Sequence, residues 1–319
     1  MKILIYGAGA IGIALGTFLS NDNVEVDYIA SKRTGNLIEH EGIYRGGILG
    51  ESHIPSNKIN VYYNVSEIEK NTYDYILVTV KTTSNKEVSK ELGSNKGILK
   101  TTGKIIIIQN GWGNDKEYLK YFTKKQIYSA RVITGFERKE LNNSIVTVHA
   151  EPIIIGSLYN ESINEIANLV EILNDAGMPT VASNEIDKAL WAKMLYNCTL
   201  NPLGALMKVN YGKLSESKYT INIMNNLIDE TFNVMTSSGY STYFNSPDEY
   251  KKEFYDKLII STYNHRSSTL QDMEKGIKTE IDSLTGIVIR LAKENNINVP
   301  YSEFIYNSIK GIEDINNKK

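Results

Sequence analysis

The sequence contains little of several residue types, and each scarcity excludes a class of protein. One cysteine, Cys198, among 319 residues excludes an internal disulfide and is typical of a protein from a reducing cytoplasm. No apolar run is long enough to span a membrane, and a net charge of −2 gives no reason to expect nucleic acid or an anionic membrane as a partner. The histidines are far apart and never in an H-x-x-x-H spacing, so a metal site has little support. They are His40, His53, His149 and His265.

Strand-like and helix-like segments alternate in the first half of the chain, which predicts a parallel sheet with helices on its faces. A composition of 41% hydrophobic and 23% charged residues is typical of a soluble globular protein, and this length favours two domains. The predicted parallel strands are Met1–Tyr6, Val24–Ala30, Tyr75–Val80 and Lys104–Ile108. The later expectations are antiparallel additions at Ile145–His149 and Ile153–Ile155, a helix at Ser162–Asp175 and a strand at Thr180–Ala182.

The pattern changes after Ser183, where helix-like segments follow one another with almost no strand signal. These segments are Asn184–Thr199, Ser217–Ser238, Pro247–Gln271, Glu280–Asn295 and Glu303–Ile312. We therefore predict an α/β domain over residues 1–183 and an all-helical domain over residues 184–319.

A glycine-rich turn between a strand and a helix opens the α/β half, with the G-x-G-x-x-G spacing of a dinucleotide site. The turn consists of Gly7, Ala8, Gly9, Ala10, Ile11 and Gly12. We expect a tight turn at Gly7, backbone approach to a pyrophosphate at Gly9, and close helix packing at Gly12. N–H groups at the helix N-terminus would bind the phosphates. The alternative is an ordinary glycine-rich turn. The glycines interrupt the apolar stretch, which argues against a signal peptide.

The end of the second predicted strand bears on the choice between NAD and NADP. In NAD-preferring sites an Asp or Glu there accepts a hydrogen bond from the ribose 2′-hydroxyl. Here the strand ends at Ala30 without an acid, and Ser31, Lys32 and Arg33 follow. A hydroxyl and two cations suit a 2′-phosphate, so we predict NADP(H) as the cofactor. The alternative is that Lys32 and Arg33 are solvated loop charges.

One predicted helix of the second half carries a line of polar residues on an otherwise apolar surface. Lys193 and Asn197 are four residues apart, so they share one face about one turn apart. Pro202 disfavours helical geometry at Asn201, so we expect the helix to end near there. A lysine with an asparagine one turn later suits carbonyl reduction, because the ammonium can polarise the carbonyl and supply a proton. A snorkelling lysine beside an exposed asparagine is the alternative.

A second polar cluster follows Ser267 and includes Ser268 and Glu280. On a continuous helix these two residues would be about 18 Å apart, so they can share a small substrate only if the chain breaks between them. Gly276 supplies a plausible break. We then expect Glu280 in the first turn of the next helix, where it could accept from a substrate hydroxyl and pair with Lys193. Alternatively, Glu280 only complements the helix dipole.

Lys81 and Asn110 closely follow two of the predicted parallel strands. Residues at the carboxyl ends of such strands face the ligand crevice, so we expect both to touch cofactor or substrate. The alternatives are a solvated loop lysine and an Asn-Gly turn.

Together these motifs resemble the ketopantoate reductases (2-dehydropantoate 2-reductases) along nearly the whole chain. The Lys-x-x-x-Asn pair is similar to that of the wider β-hydroxyacid and 6-phosphogluconate dehydrogenases. Asn201–Leu203 and Thr279–Asp282 point more narrowly to the reductases. The matching segments are Gly7–Gly12, Leu77–Lys81, Gln109–Gly113, Leu190–Lys193, Asn197–Cys198, Asn201–Leu203, Thr279–Asp282 with Gly286, and Asn298–Pro300.

The resemblance implies NADPH-dependent reduction of 2-dehydropantoate to (R)-pantoate, a step towards pantothenate and coenzyme A. It implies a Rossmann-type dinucleotide-binding domain followed by a helical domain like that of 6-phosphogluconate dehydrogenase. By the match, Lys193 is the general acid and Glu280 holds the substrate hydroxyl. The implied partner is a small 2-oxo acid, and a homodimer stays open.

The resemblance also implies roles for the remaining polar residues. Asn197, Asn201 and Ser268 would bind substrate. Asn110 would lie by the nicotinamide and the substrate, and Lys81 near the cofactor. The sequence departs from the family at Ser31, which aligns with an arginine that usually closes the second strand.

Two other functions stay open from the sequence. A paralogue could reduce another branched 2-oxo acid or an imine with the same residues. A non-catalytic sensor would bind NADPH without turnover.

Overall fold

The computed structural model describes residues 1–316, and the last three residues of the predicted helical domain lie outside it. The chain divides into two compact units. The first comprises Met1–Gln109 and Asn114–Ile186, and the second comprises Asn110–Gly113 with the chain from Asp187 onwards. The short loop Asn110–Gly113 thus belongs with the helices, although it follows a strand of the first unit.

The first unit contains both strands and helices. In the second unit all the described elements are helical. The strands are β1 (Lys2–Tyr6), β2 (Glu25–Ile29), β3 (Ile43–Gly47), β4 (Ser52–Ile54), β5 (Val61–Tyr62), β6 (Tyr73–Val78), β7 (Leu99–Ile107), β8 (Ile127–Arg131), β9 (Thr134–Glu140), β10 (Asn143–His149), β11 (Ile153–Gly156) and β12 (Thr180–Ala182). The first α-helices are α1 (Ala10–Leu19), α2 (Lys32–Glu41), α3 (Asn85–Ser94), α4 (Asp115–Tyr118) and α5 (Ala167–Asp175). The later ones are α6 (Ile186–Met207), α7 (Tyr211–Leu214), α8 (Lys218–Ser237), α9 (Pro247–Glu253), α10 (Ile259–Ser261), α11 (Ser268–Glu274), α12 (Thr285–Glu294) and α13 (Pro300–Asn316).

An eight-stranded sheet forms the centre of the first unit, in the order β12-β11-β8-β7-β6-β1-β2-β5. All neighbours from β5 to β8 are parallel, and β11 pairs antiparallel with β8 as predicted. Successive residues of β1 enter different cores: Ile3 and Ile5 pack in one apolar cluster, Leu4 and Tyr6 in the other. Both faces of the sheet are therefore buried, which explains its near-continuous apolar strands.

A second sheet, in the order β4-β3-β10-β9, lies beside α1. The expectation that the strand at Ile145–His149 joins the main sheet is wrong, because β10 finds partners on both sides here, β3 and β9. Phe136 of β9 packs on the same apolar cluster as Phe18 of α1. The strands β3 and β4 gave little sequence signal because β3 ends in two glycines and β4 has three residues.

The helix α6 is longer than predicted, since it continues through Pro202 to Met207. Proline has no N–H, so one helical hydrogen bond is lost there. The neighbouring side chains Leu200 and Leu203 are buried, as is Ala205 in the next turn. Burial of this segment outweighs the lost bond, and Asn201 stays within the helix.

The predicted helix Pro247–Gln271 is broken into shorter elements. A π-helical turn, Phe254–Leu258, follows α9, and the chain leaves helical geometry between α10 and α11. Ser268 therefore begins a new helix, and Ser267 caps it by accepting a hydrogen bond from Leu270 N at 2.9 Å. Gly276, at a φ of +63°, follows the end of α11, which confirms the predicted break.

Glu280 lies just before a single 3₁₀ turn, Ile281–Ser283, and α12 begins only at Thr285. The expectation that Glu280 occupies the first turn of a continuous helix is wrong, because Leu284, with φ −106° and ψ −103°, interrupts the helical geometry. The overall prediction of an α/β unit followed by a helical unit is confirmed. None of the helices described within residues 1–316 is long and apolar enough to cross a membrane.

Candidate active site

The glycine turn joins β1 to α1 with the geometry that its spacing predicts. Gly7 has a φ of +113°, and a Cβ there would lie 2.7 Å from Val80 Cγ1. A Cβ on Gly12 would overlap the carbonyl oxygen of Gly7. The tight turn and the close helix packing are therefore confirmed.

The space around Gly9 fits a dinucleotide. A Cβ on Gly9 would meet nothing within 4 Å, so the backbone is open on that side. Gly9 is also the N-cap of α1, and no side chain caps the first N–H groups of this helix. Open space beside uncapped N–H groups suits a pyrophosphate. The role of residues 7–12 in binding it stays a prediction.

One arginine, which sequence reasoning missed, contacts both the segment after β2 and this glycine turn. Ser31 caps α2 and accepts a hydrogen bond from Thr34 N at 3.4 Å, while Lys32 and Arg33 are exposed on the first turn. Arg138 of β9 donates from Nη2 to the Ala8 carbonyl at 2.9 Å and to Thr34 Oγ1 at 3.0 Å. The predicted pyrophosphate and ribose segments therefore share one guanidinium.

Lys81 is exposed after β6, where it precedes a 3₁₀ turn, Thr82–Ser84. Its carbonyl accepts a hydrogen bond from Ser84 N at 3.0 Å. This fixes the backbone at the carboxyl end of the strand, and contact with the cofactor stays a prediction.

In the second unit an amide connects the predicted general acid to the predicted carboxylate. Lys193 Nζ of α6 donates to Asn110 Oδ1 at 2.7 Å, and Asn110 Nδ2 donates to Glu280 Oε2 at 3.5 Å. All three side chains are half-buried. An ammonium, an amide and a carboxylate thus stand in one hydrogen-bonded row, which can supply a proton, orient a carbonyl and accept from a hydroxyl.

Aromatic packing holds Asn110 in this row. Trp112, two residues further on, lies 5.1 Å from the ring of Trp191 and 4.8 Å from that of Tyr240. The backbone N–H of Trp112 donates to the carbonyl of Ser283 at 3.3 Å, and Ser283 is three residues after Glu280. Both tryptophans are buried, so the loop is anchored to the helix that carries Lys193 and to the turn that carries Glu280.

The two predicted substrate residues of α6 are four positions apart on one face of the helix, and both are buried. Asn197 and Asn201 are 6% and 4% exposed. Asn201 Oδ1 accepts a hydrogen bond from the Tyr211 hydroxyl. Asn197 and Ser268, which is exposed at the start of α11, make no side-chain hydrogen bond with any other described residue. The structure therefore joins Lys193, Asn110 and Glu280 directly, and leaves the roles of the other three as predictions.

A buried carboxylate that sequence reasoning missed holds the chain next to Glu280. Glu313 Oε1 of α13 accepts from Thr279 N at 2.7 Å and Thr279 Oγ1 at 2.6 Å, and Oε2 lies 3.0 Å from Lys310 Nζ. Burial raises the pKa of Glu313, but hydrogen bonds from Thr279 and the Lys310 charge outweigh it and hold that pKa below its usual value. Glu313 thus fixes the backbone from which Glu280 projects.

The dinucleotide-type turn and the lysine–amide–carboxylate row define the class: a nicotinamide-dinucleotide-dependent oxidoreductase. No group of three or more His, Cys, Asp or Glu among the described residues could hold a metal ion. Two family models match most of the chain, "Ketopantoate reductase PanE/ApbA" over residues 3–160 and "Ketopantoate reductase PanE/ApbA C terminal" over residues 185–313. The chain belongs to the ketopantoate reductase family.

Individual relatives agree with this assignment. A 2-dehydropantoate 2-reductase from Aquifex aeolicus is 35% identical over 319 residues, covering 100% of this chain and 99% of the relative. A crystal structure of a PanE/ApbA family ketopantoate reductase from Ralstonia eutropha JMP134 superposes with a TM-score of 0.84 at 25% identity, covering 99% and 100% of the chains. A D-mandelate dehydrogenase with NADH and anilino(oxo)acetate gives a TM-score of 0.86 at 21% identity, covering 99% and 100%; that likeness shows the fold alone.

Proposed function

We propose that this protein reduces 2-dehydropantoate to (R)-pantoate with NADPH, as a step towards pantothenate and coenzyme A. The observation that carries the proposal is the row Lys193–Asn110–Glu280, with distances of 2.7 and 3.5 Å. The Aquifex aeolicus relative, named for this reaction, supports the choice of substrate. A cytoplasmic location and a homodimer stay predictions.

The three side chains divide the chemistry between them. The dinucleotide, when bound, supplies a hydride to the carbonyl carbon of the 2-oxo acid. Lys193 polarises the carbonyl oxygen and gives it a proton, so the oxygen becomes a hydroxyl and the amine is reprotonated from solvent. Glu280 accepts a hydrogen bond from the substrate hydroxyl, and Asn110 keeps the ammonium and the carboxylate in place.

The remaining predicted residues bind the two ligands in this proposal. Asn197, Asn201 and Ser268 hold the substrate. The cofactor residues are Gly7, Ala8, Gly9, Ala10, Ile11, Gly12, Ser31, Lys32, Arg33, Lys81 and Asn110. The exposed cations after β2, with no acid at its end, support NADP(H) over NAD(H).

The replacement Lys193→Met tests the role of the general acid. We expect the rate of NADPH oxidation with 2-dehydropantoate to fall about 10²- to 10⁴-fold, the contribution typical of general acid catalysis. The measurement is the initial rate at saturating NADPH. Lys252→Met, which removes an exposed lysine from the same unit, is the matched control and should keep the wild-type rate.

A substrate pair separates this function from its closest rival, a reductase of another 2-oxo acid. The analogue 3,3-dimethyl-2-oxobutanoate lacks the hydroxyl that Glu280 is proposed to accept from. We expect kcat/KM for 2-dehydropantoate to exceed that for the analogue by about 10- to 100-fold, the value of one hydrogen bond to a charged group. Equal values would favour the rival, and NADPH binding without turnover of either would indicate a sensor.

A further inference from the structure

The second sheet brings a guanidinium to the glycine turn. This sheet packs beside α1, the helix that the turn opens. Residues 136 and 138 of β9 point to the same face because side chains alternate along a strand. Phe136 packs on the apolar cluster with α1, and Arg138, two residues further on, reaches Ala8 and Thr34.

Arg138 uses only part of its donor set on the protein. Its three hydrogen bonds all come from Nη2, to Ala8 O, Thr34 Oγ1 and, at 2.7 Å, Leu141 O. In the described part of the chain Nε and Nη1 make no hydrogen bond. A guanidinium carries five N–H donors in a planar fork, so three remain for a ligand. The residue as a whole is exposed, although its guanidinium is partly buried where it contacts Ala8 and Thr34.

A second cation, Arg33, raises the positive charge near Arg138. Burial of the guanidinium and repulsion from Arg33 hold the pKa of Arg138 below its usual value. Over residues 1–316 neither Arg33, Lys32 nor Arg138 forms an ion pair with a carboxylate. Cations that repel one another and form no ion pair are stabilised by an anion, and a phosphate dianion matches the guanidinium fork.

We propose that Arg138, together with Arg33, binds the 2′-phosphate of NADP(H) and so determines the cofactor specificity of this enzyme. The inference rests on the proposed use of NADP(H). It also accounts for Ser31, which stands where the family usually has an arginine: the missing guanidinium comes from β9 of the second sheet. Nη2 stays on Ala8 and Thr34, and the free donors face the anion.

The test is calorimetric binding of NADP⁺ and NAD⁺ to four proteins: wild type, Arg138→Met, Arg138→Lys and Lys139→Met. Lys139→Met removes the same charge one residue away, from an exposed lysine of β9. We expect Arg138→Met to raise the Kd of NADP⁺ by about 10- to 100-fold, the value of a charge-assisted bond, and that of NAD⁺ by less than about threefold. Lys139→Met should change neither by more than about threefold, and Arg138→Lys should restore part of the loss.

Three outcomes overturn the proposal. Equal loss of both nucleotides in Arg138→Met would mean that the arginine only braces the glycine turn. Unchanged NADP⁺ binding, or a wild-type preference for NAD⁺, would mean that no 2′-phosphate is bound there. Should Arg138→Met not fold, the probes 2′,5′-ADP and 5′-AMP replace it, with wild type and Thr34→Val, which removes the hydroxyl that holds Arg138. We expect the variant to lose 2′,5′-ADP affinity several-fold and to keep 5′-AMP; equal effects would contradict the proposal.

Failure of this inference is distinct from failure of the proposed function. Wild-type turnover of 2-dehydropantoate with unaltered NADP⁺ binding by Arg138→Met would refute only the role of Arg138. The expected binding pattern without turnover of 2-dehydropantoate would refute only the substrate assignment.

Discussion

At the residue scale, single atoms decide what the two sites can hold. Asn110 is placed so that its oxygen receives the Lys193 ammonium and its nitrogen serves the Glu280 carboxylate. An aspartate there would lose the donor, and a leucine would lose both partners. In the first unit, the lack of a Cβ on Gly9 leaves open the space proposed for the pyrophosphate.

Gly9→Ala separates binding from folding. The new methyl would meet no protein atom within 4 Å, and the φ of −83° suits alanine, so we expect the free energy of unfolding to change by less than about 1 kcal/mol. The methyl would occupy the space proposed for the pyrophosphate, which should weaken dinucleotide binding at least about tenfold. Urea unfolding without nucleotide and calorimetric binding measure the two effects.

Gly12→Ala is the contrasting control. Its Cβ would overlap the Gly7 carbonyl oxygen, so this variant should lose about 1–3 kcal/mol of stability as well as binding. Normal dinucleotide affinity in Gly9→Ala would contradict the assignment of the turn.

At the element scale, the segment between α11 and α12 is held by contacts with its neighbours rather than by helical bonds. Gly276 ends α11, and Leu284 interrupts the helical geometry before α12. Thr279 is fully buried against Glu313 of α13, and the carbonyl of Ser283 accepts a hydrogen bond from the backbone N–H of Trp112. The position of Glu280 therefore depends on α13 and on the Asn110–Gly113 loop.

Glu313→Gln should destabilise the protein in a way that depends on pH. At pH 7 we expect a loss of about 1–3 kcal/mol, because charge-assisted bonds to Thr279 and Lys310 are weakened. The native pKa of Glu313 lies below its unfolded value, so its contribution is complete above pH about 4.3 and is lost as the pH falls through the native pKa. The difference between wild type and variant should therefore shrink in acid. Urea unfolding at pH 7 and at pH 3 measures it.

Asp314→Asn, an exposed acid next in sequence, is the control for this effect and should change stability by less than about 0.5 kcal/mol. A difference between wild type and Glu313→Gln that stays constant from pH 7 to pH 3 would refute the linkage.

Sequence periodicity predicted six of the eight strands of the main sheet, all but β5 and β8, and the change to a helical second half, because each signal is local. The break at Gly276 was also predictable, since only the backbone freedom of glycine is involved. The prediction that the helix ends near Pro202 was wrong, because α6 is buried on both sides of the proline and this burial is a tertiary effect. Arg138 could not be singled out, since its contact with Ala8 spans 130 positions and depends on a sheet whose strands β3 and β4 gave little signal.

At the scale of the whole molecule, each unit has its own predicted task. The first carries the glycine turn and the cations after β2, and the second carries Lys193, Asn110 and Glu280 as one connected row. The family models cover both units, and the Aquifex aeolicus relative matches the full length. The proposed reaction needs both tasks in one chain, whereas a sensor would need only the first.

The most direct test of the central claim is the fate of the hydride. The full-length protein is incubated with 2-dehydropantoate and NADPH deuterated at both C4 positions of the nicotinamide, and the product is analysed by mass spectrometry. The account predicts pantoate that carries one deuterium at C2 with the wild type, and at least about 100-fold less of it in the same time with Lys193→Met. Absence of pantoate, or pantoate without deuterium at C2, would contradict the account.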